Sequence, residues 1–347
     1  MTAKHRVALI GTGSMGSLHA RVLSQSDRAE LVRVVDPRED AGRAVAERFG
    51  AAWTPEIDSL ADVDAVVLAA ATEAHHKLAL EVLDQATPLL VEKPVCDDLA
   101  ASEEVVALSE RRDVPLMCGL LERYNPAVMT ALQLISEPVH VMARRHGPYA
   151  PRIRTGVSWD LLVHDVDIAI QCFSGVEPTR VASGVGYFHP DSVPGAEDNV
   201  ETVLTFPTGL ATVSASRIGQ RKGRSLVVSE IDRLIEIDLL RRDVTIYRHV
   251  SHDAVTPDGL GYRQQTVIEI PELVSAREPL ATQLDRFLDL VEGRVDAAQE
   301  RRSTPPAHPA GAPAGGRRPP AEGPAGREKG GGAAGAPPPR VRPRRVS

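Results

Sequence analysis

Apolar residues along this chain come first in short unbroken runs, separated by longer stretches with helical spacing. Val7-Ala8-Leu9-Ile10 is the first run. A run of that length without polar interruption suits a parallel strand buried on both faces. Similar runs fill 31–35, 63–70, 89–91 and 115–118. Between them the spacing predicts helices over 17–26, 39–49, 75–84 and 99–111. Strand and helix alternate without a break, which is the pattern of an α/β fold with a doubly wound Rossmann sheet.

The pattern changes after 121. Asn125-Pro126 opens a helix with proline at its first position. A strand follows over 139–143 and a helix over 158–173. Short β-branched runs then occupy 200–206, 210–215, 226–228, 234–237 and 267–270. These predict a C-terminal α+β domain with a largely antiparallel sheet, one face against helices and one face open. A last amphipathic helix covers 280–291. The expected division is 1–120 for dinucleotide binding, 121–299 for substrate and oligomer contacts, and 300–347 as a tail. Residues 301–347 hold eleven prolines, nine glycines and few large apolar side chains. Such a segment cannot offset its own ordering entropy and is predicted to be disordered.

Composition narrows the function. The chain of 347 residues is 42% hydrophobic, enough for two cores. Its net charge is -7, although 301–347 carries ten Arg or Lys against two Glu. The body is therefore strongly acidic, which excludes nucleic acid as the substrate. Cys96, Cys118 and Cys172 are widely spaced and odd in number, so neither a disulfide framework nor a metal site is expected. The N-terminal residues reach a four-residue apolar strand directly, with no signal peptide or membrane span, so a cytoplasmic protein is expected.

The chemistry lies in three clusters. Gly11-Thr12-Gly13-Ser14-Met15-Gly16 follows a strand and opens a helix. Its glycines allow a tight turn, close approach of a pyrophosphate and close helix packing, and the helix start offers N–H groups to phosphates. A turn without ligand is the rival reading. Asp36 lies twenty residues after Gly16 and is expected to bind the adenosine ribose hydroxyls, favouring NAD over NADP despite nearby Arg38. Thr72, at the carboxyl edge of the sheet, is a cofactor contact or a helix cap. His76 is a cofactor contact or a packing residue, and Trp53 carries no signal of its own.

Glu92-Lys93-Pro94 ends a strand at the edge where ligands bind in open α/β sheets. Glu92 and Lys93 are read as cofactor-side residues. Lys93 is also placed to stabilise alkoxide charge, with Pro94, in a cis bond or not, setting its direction. Asp160, His164 and Asp167 share one helical stripe at i, i+4 and i+7, while Asp165 points elsewhere. His164 suits removal of a hydroxyl proton, and Asp160 suits orienting it. A metal site or a structural His–Asp pair are the rivals. Arg144, Arg145 and Arg152 are candidates for a substrate diphosphate.

These three motifs, in this order, resemble the glucose–fructose oxidoreductase, inositol dehydrogenase and rhizopine-catabolism family over 5–295. The resemblance implies that Lys93, Asp160 and His164 form the catalytic trio of an NAD-dependent sugar dehydrogenase and that the protein is a homo-oligomer. Glu122-Arg123-Tyr124-Asn125-Pro126-Ala127-Val128, Arg144-Arg145-x-Gly147-Pro148-Tyr149 and Gly156-Val157-Ser158-Trp159-Asp160-Leu161 are similar to the branch holding UDP-N-acetylglucosamine 3-dehydrogenases. That branch oxidises a sugar 3-hydroxyl with NAD. Inositol or a free sugar is the alternative substrate, and an NAD-binding sensor is the non-catalytic alternative. One departure stands out. Relatives usually continue beyond the helix near 280–291 with a further apolar helix, whereas here 297–302 runs into the Pro/Gly/Arg segment as though the C-terminus were replaced.

Overall fold

Six strands build the first sheet: β1 (His5–Ile10), β2 (Ala29–Val35), β3 (Ala52–Thr54), β4 (Ala65–Leu68), β5 (Leu89–Glu92) and β6 (Leu116–Gly119). The structure is a computed structural model that describes residues 3–303 except 152, 154, 257 and 258, and the side chains outside 252–263. The sheet order is β3-β2-β1-β4-β5-β6, all parallel. This is the dinucleotide-fold order, with its crossover between β1 and β4. The connecting helices are α1 (Ser14–Gln25), α2 (Glu39–Phe49), α3 (Thr72–Asp84) and α4 (Leu99–Arg112). Val7, Ala8, Leu9 and Val66 to Leu68 are fully buried, as unbroken apolar strands must be between two helix layers.

The predicted Rossmann sheet is present. Helices α1 and α3 each start three residues before the expected position, and β3 is not among the expected strands. Helix α1 begins at Ser14, inside the glycine turn, because Gly13 is its N-cap. β3 is only three residues long, too short to leave a periodic signal.

A 3₁₀ turn (Leu121–Tyr124) and α5 (Pro126–Leu134) lead into the second sheet. Asn125 caps α5 by accepting from the Ala127 amide, with Pro126 in the first turn. β7 (His140–His146) is followed by a π turn (Ser158–Leu162) and α6 (Val163–Cys172). Then come β8 (Arg180–Gly186), β9 (Asn199–Thr205), β10 (Leu210–Ser216), β11 (Gly223–Ser229), β12 (Leu234–Asp238), β13 (Asp243–Thr256) and β14 (Gly259–Glu269). The order is β14-β13-β12-β11-β7-β10-β9-β8, antiparallel except for β7 and β10. Val141, Val213, Leu226, Val228 and Ile237 pack one face against α5 and α6, including Ala131, Val166 and Phe173. The sequence missed β8, a glycine-bearing edge strand, and β13, whose polar composition hides its period.

The chain then returns to the first sheet. α7 (Pro279–Val291) sets Leu280, Leu284, Phe287 and Leu288 into the core formed by Val7, Leu9, Leu23 and Val67. α8 (Ala297–Arg302) follows, capped by Asp296. Arg301 is buried and donates to the Val114 carbonyl at 3.2 Å. The ordered chain therefore overlaps the first residues assigned to the tail. The expectation of disorder over 304–347 lies outside the described residues.

The three cysteines are free and buried. Burial pushes the Cys96 thiol up to about 11 and the Cys172 thiol up to about 12, so both stay protonated and inert. Among the described residues no helix is long and apolar enough to cross a membrane, and no group of three His, Cys, Asp or Glu could hold a metal ion.

Candidate active site

The glycine turn is shaped by close approach. Gly11 has φ +92°, and a side chain there would meet the Ala70 backbone at 2.6 Å. A side chain on Gly16 would meet the Gly11 carbonyl at 2.0 Å. Both positions therefore exclude any other residue. Gly13 faces open space, with nothing within 4 Å of an added side-chain carbon. A groove of about 740 Å³ runs from here along Gly11 to Met15, past Asp36 and Arg38, to Ala70, Lys77 and Glu81.

Asp36 sits at the end of β2, buried. Its Oδ2 accepts from the Thr12 amide at 2.9 Å and from Thr12 Oγ1 at 2.6 Å. Its Oδ1 accepts from the Arg38 amide at 2.9 Å, and the Arg38 guanidinium closes over it at 3.1 Å. Burial alone would raise this carboxyl, but the hydrogen bonds from Arg38 and Thr12 hold it far below the usual carboxylate range. Trp53 donates to the Asp36 carbonyl at 3.1 Å, with Arg43 stacked 4.4 Å over its ring. It braces the strand end, a role invisible without β3 pairing to β2.

The groove fits a dinucleotide: an open Gly13, an exposed helix start for phosphates and an anchored carboxylate for a ribose. Thr12, Gly13, Ser14 and Met15 all line it. Thr72, His76, Glu92 and Lys93, also expected on the cofactor side, do not line this groove. Thr72 is the first residue of α3 and does not cap it; Ala71 holds the cap position without a side-chain bond. His76 faces α4, 2.9 Å from Glu104, at the surface. Helical phase decides this, because His75 takes the inward position instead. Glu92 is buried, with Oε1 2.8 Å from His19 Nε2 and Oε2 accepting from the Lys93 amide.

His75 is the residue that sequence reasoning missed. Its Nδ1 lies 2.9 Å from the Pro94 carbonyl and its Nε2 3.2 Å from the Ala70 carbonyl. It ties the end of β4 to the turn carrying Lys93. The Lys93–Pro94 bond is cis. Lys93 Nζ donates to the Asp160 carbonyl at 2.7 Å and to its Oδ1 at 3.2 Å, joining the two halves of the site.

The expected helical stripe is broken. Asp160 lies in the π turn, where the wider spacing takes it out of register with His164. It bonds Lys93, and no bond joins it to His164. Asp167 faces inward and takes a two-pronged bond from Arg123, at 2.8 and 2.6 Å. Asp165 accepts two bonds from Arg145, at 2.8 and 2.7 Å. Glu122 binds both Arg145 and Arg224 at 2.8 Å. Burial works against the charge on Arg145, but Asp165 and Glu122 more than offset it. Arg145 is thus committed internally. Arg144 is exposed and leans on His146, its Nε donating to Nδ1 at 3.0 Å, and Arg152 lies outside the described residues.

His164 Nδ1 is buried without a hydrogen-bond partner. Burial, then the charges of Lys93, Arg145 and Arg224, push its pKa well below 6.5. The ring is therefore neutral near pH 7 and can accept a proton. Asp160 also lines a cavity of about 230 Å³ with His146, Arg217, Lys222 and Arg224.

Residues 5–120 match the model described as an oxidoreductase family with an NAD-binding Rossmann fold, and 130–229 match the GFO/IDH/MocA C-terminal domain. A UDP-N-acetylglucosamine 3-dehydrogenase of Acidithiobacillus ferrooxidans is 27% identical over 292 residues, covering 82% of this chain and 88% of that protein. A solved structure of that enzyme superposes with a TM-score of 0.74 at 25% identity, covering 89% of this chain and 97% of the other. An inositol 2-dehydrogenase of Paenarthrobacter aurescens is 31% identical over 245 residues, covering 65% of this chain and 73% of that protein.

Proposed function

Because the chain belongs to the GFO/IDH/MocA oxidoreductase family, we propose that it oxidises a secondary hydroxyl of a sugar or nucleotide sugar with NAD. The 3-hydroxyl of UDP-N-acetylglucosamine is the first substrate to test, after a relative that covers 82% of this chain. The single observation that carries the reading is the bond from Lys93 to Asp160, which lines the inner cavity of about 230 Å³, in the electrostatic reach of a neutral His164. Bound NAD would supply the hydride acceptor. His164 takes the hydroxyl proton, since its depressed pKa leaves the ring free to accept one. Lys93 stabilises the negative charge that develops on the substrate oxygen. Asp160 acts on Lys93, fixing the ammonium by two hydrogen bonds. Asp36 accepts from the adenosine ribose, and the start of α1 faces the phosphates.

In this reading residues 1–120 bind the dinucleotide and 121–299 the substrate. A homo-oligomer belongs to the same proposal. It is supported by the open face of the second sheet, where Met142, Val203, Leu210 and Ile268 are exposed. The test is NADH formation from a panel of UDP-sugars, inositols and free sugars. With the substrate so found, His164→Ala and Lys93→Ala should each lower kcat by about 10²–10⁴-fold. Unchanged kcat in both variants would remove the assignment.

A further inference from the structure

Beside this inner cavity lies a second, outer one of about 500 Å³, lined by Arg144, Arg221, Lys222, Arg224 and Arg241. The two share His146, Lys222 and Arg224. Their charges do not cancel internally. Arg145 is taken by Asp165 and Glu122, and Arg224 shares Glu122. Arg241 stands 3.8 Å from Asp238, the one carboxylate lining the outer cavity. Asp160 is occupied by Lys93. Among the described residues, Arg144, Arg221 and Lys222 have no carboxylate within 4.0 Å. Arg144 is steadied instead by His146, whose Nε2 lies 2.7 Å from Ser214 Oγ.

Such a surplus is unexpected in an acidic protein. The chain as a whole carries -7, yet the mouth of this cavity is lined by cations of one sign. A concave wall of one charge focuses potential and concentrates a ligand of the opposite charge. Guanidinium forks match phosphate oxygens in particular, two bonds at a time. A neutral polyol would leave these cations unmatched, whereas a ligand with more than one negative charge satisfies them across both cavities.

We infer that this basic groove is the phosphate subsite of the active site, so that the substrate is a sugar diphosphate ester and not a free polyol. The inference rests on the proposed reading of Lys93 and His164 for which end of the ligand reacts. The groove itself can be tested without turnover. Calorimetric titrations would use the full chain saturated with NADH, so that the dinucleotide groove is filled, with UDP, inorganic pyrophosphate and uridine as probes. UDP and pyrophosphate should bind and uridine should not. Added salt should weaken UDP binding steeply, since the contacts are charge on charge. The double variant Arg221→Glu, Lys222→Glu should lose affinity for UDP by about tenfold or more for each contact removed.

Equal UDP affinity in that variant, or no binding of UDP and pyrophosphate to the unaltered protein, would overturn the inference. So would uridine binding as tightly as UDP. If the variant lacks a cooperative melting transition, the salt series on the unaltered protein decides, and salt-independent affinity counts against the groove. The two readings fail separately. UDP binding with no hydroxyl oxidised on any sugar leaves the groove and removes the dehydrogenase chemistry. Oxidation of an inositol with no UDP binding does the reverse.

Discussion

At the scale of single residues, Asp36 does two things at once. It closes the glycine turn through Thr12 and sets the charge of the groove beneath Arg38. A dinucleotide with a 2′-phosphate would meet this carboxylate, so NAD should bind more tightly than NADP. Asp36→Ala removes both the acceptor and the charge, leaving Arg38 unopposed. The ratio of the two KM values should then shift toward NADP; equal affinities in the unaltered protein would contradict the role. His164 makes a pH prediction. Its folded pKa lies below 6.5, so the acid limb of kcat/KM should fall well below pH 6.5, and a limb at or above 6.5 would disprove a pre-deprotonated base. The stability sign follows from the same shift. Below pH 6.5 the unfolded ring binds a proton that the folded ring does not, so this contribution is lost as pH falls from 6.5 toward the folded value. The glycine turn and Lys93 were legible because each rests on a few adjacent residues. His75 and Trp53 were not, because their partners, Pro94 and Asp36, become neighbours only once the sheet has formed.

At the scale of elements, the strands of the first sheet other than β3 followed from apolar runs, since parallel strands buried on two faces have no polar alternation to confuse. The second sheet was harder. Its strands are half-exposed, and β13 carries charge on its open face. The least legible element was the π turn over Ser158–Leu162. Its start is held by Glu197, which accepts from the Ser158 amide at 2.7 Å across 39 residues. Spacing at 3.6 residues per turn would join Asp160 to His164. The wider turn hands Asp160 to Lys93 instead, 67 residues away in sequence. The resemblance pointed to Lys93, Asp160 and His164 together, and the bond that joins Lys93 to Asp160 is a product of this one irregular turn.

At the scale of the whole molecule, the last described residues are structural. Arg123 donates to the Ser303 carbonyl and hydroxyl, both at 2.9 Å, while gripping Asp167. Ending the chain after Ser303 should leave the thermal midpoint unchanged. Ending it after Gln299 removes the two Ser303 bonds of Arg123 and the Arg301 bond to the Val114 carbonyl, at about 0.5–1.5 kcal/mol for each hydrogen bond lost. That shorter form should melt several degrees lower, and equal midpoints would show α8 to be dispensable. Composition foretold a change of character near 300 but not that the first residues beyond it are pinned to both halves. The path of α7 has a consequence for how the protein is made. Leu280, Leu284 and Phe287 seal a face of the first sheet whose strands were completed by residue 119. A ribosome therefore releases the nucleotide-binding half long before it can be closed. The half translated first is finished last, and a message cut anywhere before α7 yields a sheet with an open apolar side.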